Sequence, residues 1–421
     1  MRIENVPLFT ERKEIYIALA VWGLLFSLHL AWLYRGWMDF VDRPFLYEWG
    51  SVLQAHSGKG GAKNSSTILK IRDDAGRDFY VWGPRNEFLQ PGQRVRLQLF
   101  PEKVGFLDYL RGPYLPARIK AVRPRPPGLL GTLQRFVAAQ HRQKESAAFY
   151  EAIFFATPLD RNLREKIAAL GASPLVALSG LHLSILWGGL FLLLSPLYRL
   201  LQARYFPWRY ELLDLGSFTL LLLAGYLWLT GPPPSLLRSY LMLLLGWGAL
   251  LLGIELLSFT FLAVVAALLL LFDPRLALSW GFWLSLAGVF YIYLLLRYWG
   301  RRSRWLFAGL VLPVGIFLLM LPIVHSLFPL VSPWQWLSPL LSLLFTLFYP
   351  LAILLHLAGA GGILDGALGW LWSLPSAPEA RTLPHWTLAA YLPLSLLAIR
   401  YRWAFVAVGL FALVSAARLY L

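Results

Sequence analysis

Cysteine is absent from this 421-residue chain. That excludes disulfides, thiolate metal sites and cysteine nucleophiles, and says nothing else about compartment. Charge is sparse at 14% of residues, and acidic charge sparser still: 22 Asp and Glu stand against 38 Lys and Arg, a formal net charge of +16. No G-x-x-x-x-G-K-[ST] loop occurs, so a nucleotide-driven motor would have to be another protein. The seven histidines (His29, His56, His141, His182, His325, His356 and His385) are scattered. They read as interfacial or packed, and neither a metal nor a cofactor is called for.

What the chain has is apolar length. Hydrophobic residues make up 58% of it and the mean hydropathy is +0.59, which describes a polytopic helical membrane protein and not a soluble domain with a large core. Most of the 19 tryptophans fall near the ends of apolar runs, as an interfacial belt requires. The positive excess favours an anionic partner, whether nucleic acid, acidic lipid or an anionic solute. Its plainer use is to set topology through basic cytoplasmic loops.

Four regions follow in order. Residues 1–44 hold a first apolar span, from just after Glu14 to about Arg35. No small-residue cleavage site follows it, so it reads as a retained anchor. Residues 45–125 are polar and alternating, with turn signals. Five strands are predicted there: Leu46–Gln54, Thr67–Arg72, Arg77–Trp82, Gln93–Phe100 and Ala117–Val122. Asp73-Asp74-Ala75-Gly76 gives a hairpin and Pro91-Gly92 a turn. Five short strands suit a small closed barrel of the OB type, and a small SH3-like barrel would read much the same. Residues 36–125 hold fifteen Lys and Arg against nine Asp and Glu, an excess of six. Lys70, Arg72, Tyr80, Trp82, Arg94 and Arg96 are the candidate contacts to a single strand of nucleic acid, by phosphate pairing and base stacking. A solvated face on a structural barrel is the alternative.

Residues 126–172 are amphipathic and then mixed, too short in apolar length to span, and read as a surface or re-entrant approach. Residues 173–421 carry further spans at about 173–198, 212–230, 234–254, 258–272, 277–297, 305–329, 336–357, 386–400 and 403–420. A run at 361–375 is broken by Asp365 and four glycines. The most basic short loops hold Arg199, Arg204 and Arg209, and then Arg297, Arg301, Arg302 and Arg304. The positive-inside rule puts both in the cytoplasm. The N-terminus is then cytoplasmic and the β insert extracytoplasmic. Arg400 and Arg402 reach the cytoplasm only if 361–375 crosses or nearly crosses.

Three polar clusters lie at the starts of spans. Ser179, Gly180 and His182 form the first; Ser179 and His182 are three apart and share a helix face. Gly231, Ser235, Arg238 and Ser239 form the second, after a run of three prolines that no helix continues through. An arginine deep in a span costs about 2.5–3.5 kcal/mol, so Arg238 either snorkels or faces a polar cavity that attracts an anion. Asp273, Ser279, Phe282 and Ser285 form the third, with Asp273 placed to cap the next helix. By the charge count all three sit toward the outer side, as the mouth of a pathway would.

In order and wording, SGLH, then a G…S…R span, then DP…GF.LS, the chain resembles the competence domain of the ComEC family. The lead-in Ala156–Gly180 is similar in outline, and the β insert resembles the family's soluble domain. Leu159, Pro174, Ser239 and Trp283 depart from the family's usual residues. The resemblance implies a bacterial inner-membrane channel of natural transformation that passes one strand of incoming DNA. Its pathway residues would be Ser179, Gly180, His182, Gly231, Ser235, Arg238, Asp273, Phe282 and Ser285. The partners implied are single-stranded DNA, a periplasmic delivery protein, a separate cytoplasmic motor or helicase, a separate nuclease and membrane lipid. With no H-x-H-x-D-H run, the chain looks like the short form, lacking the metallo-β-lactamase-like nuclease domain, and is expected not to be an enzyme. Two other classes compete. A small-anion permease would share Arg238. An intramembrane serine hydrolase would use Ser179 and His182, though neighbours on one helix rarely give nucleophile and base the required geometry.

Overall fold

A computed structural model describes residues 8–9, 11–57, 67–82, 89, 92–123, 128–231, 234–300, 303–374 and 378–420. Pro91, Pro232, Pro233, Arg301 and Arg302, which figure in the turns and loops above, lie outside the described residues. Contacts divide the chain into two compact units: Phe9–Gly128 with Ala267–Trp280, and Leu129–Ala266 with Gly281–Leu421 and the first residues.

The first unit opens with helix α1 (Arg12–Val41), whose start is closed by a capping box between Glu11 and Glu14. Its middle is held by two side chains. Trp22 Nε1 donates to Ala267 O (2.8 Å) and His29 Nδ1 to Leu271 O (2.8 Å). The helix runs past the predicted end at Arg35 for a packing reason. Trp37 donates to Val104 O (2.9 Å) and packs on Phe106, while Phe40 is buried in the core of the sheet that follows.

That sheet has six strands: β1 (Leu46–Ser57), β2 (Thr67–Asp73), β3 (Asp78–Trp82), β4 (Arg94–Leu99), β5 (Tyr114–Leu115) and β6 (Ala117–Arg123), with helix α2 (Phe106–Arg111) between β4 and β5. The alternation seen in sequence sets the inside: Leu69, Ile71, Val95, Leu97 and Leu99 are fully buried. The order is β5-β3-β2-β1-β4-β6. Sequence reading missed β5. It pairs parallel to β3, β6 pairs antiparallel to β4, and only Pro116 separates β5 from β6. One continuous segment thus joins both edges and closes the sheet on itself, which removes its free edges.

The second unit is helical. A helical hairpin comes first: α3 (Leu129–Ala138) and α4 (Lys144–Phe155). Then follow α5 (Arg161–Ala169), capped by Asp160 through Leu163 N (2.7 Å), and the short α6 (Ser173–Val176). The long helices are α7 (Gly180–Tyr205), α8 (Glu211–Leu229), α9 (Pro234–Leu251), α10 (Phe259–Phe272) and α11 (Trp280–Trp299). Next α12 (Arg304–Leu306) runs through a π turn (Phe307–Val311) into α13 (Leu312–Leu327), and β7 (Leu330–Val331) precedes α14 (Ser338–Leu357). The chain continues as α15 (Asp365–Ser373), β8 (Glu379–Ala380), α16 (Trp386–Leu397) and α17 (Arg402–Tyr420). Among the described residues, seven helices are long and apolar enough to cross a membrane, α1 included, and three shorter apolar ones lie at 235–251, 259–272 and 386–397. Leucines 192, 193, 221 and 347 are exposed, which in a protein of this composition marks lipid-facing surface.

The broken run at 361–375 is no single span. The nine residues of α15 reach about 14 Å, half a hydrocarbon core. Yet β8 pairs with β7, beside the start of α14, while α15 begins beyond its end. The stretch between α14 and β8 therefore returns toward the end where α14 begins, with α15 as its described helical part.

Candidate functional site

The first predicted helix start, at 173, is displaced. Gly171 turns left-handed (φ +66°) after α5, α6 makes one turn, and Ser179 is extended (φ −140°). So α7 begins at Gly180 with Ser179 as its cap. Cap and N3 residue hold each other: Ser179 N donates to His182 Nδ1 (3.4 Å), and Ser179 Oγ lies 3.3 Å from the same nitrogen. The pair is a capping box with histidine in the place of the usual Glu or Gln. Because Nδ1 accepts, the neutral ring carries its proton on Nε2. The ring is buried between those of Phe345 and Tyr349.

The second cluster meets the first. A Cβ on Gly180 would stand 3.8 Å from Ser239 Oγ, so the start of α7 lies against the start of α9. Leu178, Leu183 and Leu236 pack in one cluster with Leu223 and Leu227 of α8. Ser239 turns its hydroxyl to Ser235 O (2.9 Å). Arg238, beside it, is half-buried, and its Nε has no partner among the described residues. Gly231 provides the left-handed turn (φ +66°) before α9.

The third cluster divides. Asp273 belongs to the unit with the sheet, and its carboxylate accepts from Arg275 N (3.0 Å), capping a 3₁₀ turn at Pro274–Leu278. That is the capping role the sequence allowed. Phe282 is buried and Ser285 half-buried on α11, in the helical unit.

Below these polar starts lies a cavity of about 330 Å³, lined by Trp187 of α7, Met242 and Gly246 of α9, Val265 of α10, and Val289 and Tyr293 of α11. Helical spacing connects it to the motifs. Ser235, Ser239, Met242 and Gly246 run down one face of α9, and Ser285, Val289 and Tyr293 down one face of α11. Trp187 lies seven residues below Gly180. The lining is mostly apolar and rich in aromatic rings, and Ser179, His182, Ser235, Arg238 and Ser285 are not part of it.

The candidate nucleic-acid contacts on the sheet fall in two groups. On β2 and β3, Arg72 pairs with Asp78 directly across the ladder (2.7 Å), and Lys70, which stands opposite Tyr80, reaches the same carboxylate diagonally (3.0 Å). Burial alone would raise the Asp78 carboxyl. The bonds and charges of Arg72 and Lys70 outweigh it and hold the group below the usual carboxylate range. Tyr80 stacks on Tyr114 (4.9 Å), and Trp82 is exposed. On β4, Arg94 and Arg96 are joined by residues the sequence reading did not single out. Arg96 lies over Tyr47 (5.5 Å), Arg94 and Arg123 over Trp49 (5.8 and 4.5 Å), and Arg118 over Phe100 (5.9 Å). Arg94 also pairs with Asp74 (2.5 Å). The β1-β4-β6 wall is thus the basic and aromatic one. The signal was in the sequence as arginines at 118 and 123, but only pairing β4 with both β1 and β6 assembles it.

No curated protein and no solved structure matches this chain. A family model described as Competence protein matches residues 156–421, a stretch that contains the cap pair, Arg238, Ser285 and the whole cavity. The chain belongs to the competence protein family, and is a helical membrane protein of that family with a β-sheet unit ahead of the matched region.

Proposed function

We propose that this protein is the channel that carries one strand of DNA across the bacterial cytoplasmic membrane during natural transformation. The observation that carries the reading is the convergence of α7, α9 and α11, each polar at its start, on one aromatic-lined cavity. Arg238 meets phosphates at the rim, where a desolvated guanidinium is strongest, and bases pass the apolar stretch against aromatic faces. The strand order and the parallel β3–β5 pair support an OB-type barrel, whose β1-β4-β6 wall offers arginines and rings to a single strand. The N-terminus is cytoplasmic and the sheet extracytoplasmic. The chain itself is a conduit and not an enzyme. A periplasmic protein delivers the DNA, a separate nuclease removes the other strand, and a cytoplasmic motor or helicase draws the strand in.

The deciding experiment follows fluorescent duplex DNA given to cells lacking this gene. The expected result is DNA that crosses the outer barriers and halts outside the cytoplasmic membrane. DNA reaching the cytoplasm unhindered sinks the channel reading and leaves a small-anion permease, which the half-buried Arg238 would also serve. Arg238→Ala is expected to lower uptake about tenfold or more, the cost of a charged hydrogen bond in a buried setting. His182→Gln separates conduit from hydrolase: it abolishes any hydrolysis but only weakens passage.

A further inference from the structure

The α3–α4 hairpin ends in Gln140, His141 and Arg142, and its tip enters the turn between α14 and α15. Gln140 donates to His356 O (3.1 Å) and accepts from Gly361 N (2.8 Å). His141 Nδ1 lies 2.8 Å from Asp365 Oδ1, its Nε2 lies 2.9 Å from His356 Nε2, and His356 Nδ1 lies 2.7 Å from Ala352 O. The His141 side chain is wholly buried and that of Asp365 is 14% exposed. Tyr150 stacks flat on His141, 4.5 Å between centroids, and covers His356 at 4.6 Å. The tip fits because Gly361 and Gly362 lack side chains: a Cβ would come within 2.7 Å of the His356 ring or of Gln140 O.

These contacts can be counted in protons. The carbonyl of Ala352 only accepts, so His356 Nδ1 carries a hydrogen and its Nε2 accepts. His141 Nε2 therefore carries the hydrogen between the rings. The third contact needs one hydrogen between His141 Nδ1 and Asp365, on either atom. Three contacts hold three protons, and the cluster is neutral as a whole, either as imidazolium with carboxylate or as neutral ring with carboxylic acid. A fourth proton, delivered by hydronium with water leaving, has two places to go. On His356 Nε2 it faces the N–H of His141; on the carboxylate it leaves a buried imidazolium without its counter-charge. Removal of the proton between the rings, to hydroxide with water formed, leaves two lone pairs facing at 2.9 Å and a net negative charge in a buried site. Either change is costly there.

We propose that His141, His356 and Asp365 form a proton-binding site that fastens the α3–α4 hairpin to the α14–α15 turn, closed with three protons and released when one is gained or lost. The other titratable groups that pack here are Tyr150, which burial keeps as a neutral phenol, and Glu145, which is paired with Lys166 at 2.7 Å. Arg142 and Lys144 beside the tip are exposed.

The absence of cysteine makes the test clean. Ser146 of α4 is fully buried; in Ser146→Cys it becomes the only thiol of the full chain reconstituted in lipid vesicles. Its maleimide labelling is followed from about pH 5 to about pH 8, the range over which histidine ordinarily changes charge, and divided by that of the exposed Arg142→Cys. The expected result is protection in the middle of the range and a normalised rate rising up to tenfold per pH unit at the acid end, as one proton per opening requires. Adding His356→Gln, whose amide oxygen still accepts from His141, removes the acid limb. Adding Asp365→Asn raises labelling about tenfold at neutral pH and reads the same question if the Gln variant does not fold. Ala412→Cys in α17, also buried, stays protected throughout. A flat normalised rate overturns the proposal. So does an acid limb unchanged by His356→Gln, or Ala412→Cys exposed in step with Ser146→Cys, which would be unfolding of the whole.

Discussion

At Gly216 of α8 a Cβ would run into the indole of Trp247 on α9. That contact fixes how closely the two helices approach, and Trp247 in turn lines the cavity. Gly216→Ala is expected to lower stability by about 1–3 kcal/mol, the usual cost of overpacking, read by denaturation in detergent micelles. Asp78 supports a prediction about acid. Its folded-state pKa is depressed by Arg72 and Lys70. The stability it contributes is therefore fully present above the ordinary value of 3.8 and is lost as pH falls through the lower folded value. Tryptophan fluorescence of the sheet unit is expected to report a loss of stability below about pH 4, and Asp78→Asn to flatten that limb. The same ion pairs show what sequence reading lacks. Lys70 and Arg72 looked available to phosphates, but the register that sets Asp78 opposite Arg72 is a property of paired strands. The Ser179–His182 contact was legible as a three-residue spacing. That it caps α7 was obscured because histidine stands where Glu or Gln makes the recognised pattern.

Among the elements, the β strands were legible because period-two alternation is written in a few residues: Val95, Leu97 and Leu99 inward, Arg94 and Arg96 outward. Strand β5 was not, being two residues with no period to read. The histidine cluster was beyond reach for another reason: His141 lies 215 residues from His356 and 224 from Asp365, and nothing local marks them as neighbours. If the β1-β4-β6 wall binds a single strand, Arg96→Ala and Arg118→Ala in the full chain should each reduce the slope of log affinity against log salt by about 0.7, the single-strand value per phosphate contact. Equal slopes would place the strand elsewhere. Helix α9 offers a test of the cavity. A Cβ at Gly246 meets nothing within 4 Å, so Gly246→Leu should fold normally and fill the space. DNA uptake is expected to fall about tenfold or more while membrane abundance, read by quantitative blotting, stays unchanged. Unaltered uptake would move the pathway away from these four helices.

Across the whole chain, the charge-based count of crossings depended on the broken run between α14 and β8. The sequence showed an apolar run broken by Asp365 and four glycines and left its crossing open. The β7–β8 pairing shows that the chain nonetheless returns to the end where α14 begins, and the bond from Tyr298 to Ala398 O (2.7 Å) sets the turn at Arg400 beside the end of α11. In the sheet unit, the end of α1 supplies Phe40 to the core, Tyr109 of α2 packs on it (5.5 Å), and Arg77 lies over its ring (5.0 Å). The order of synthesis gives that arrangement a direction. Phe40 leaves the ribosome first, on a helix already entering lipid, while the segment that joins both edges of the sheet, 114–123, leaves last. The ring therefore forms around a plug that waits for it, and a fragment cut to begin at residue 45 would have to close around an empty centre.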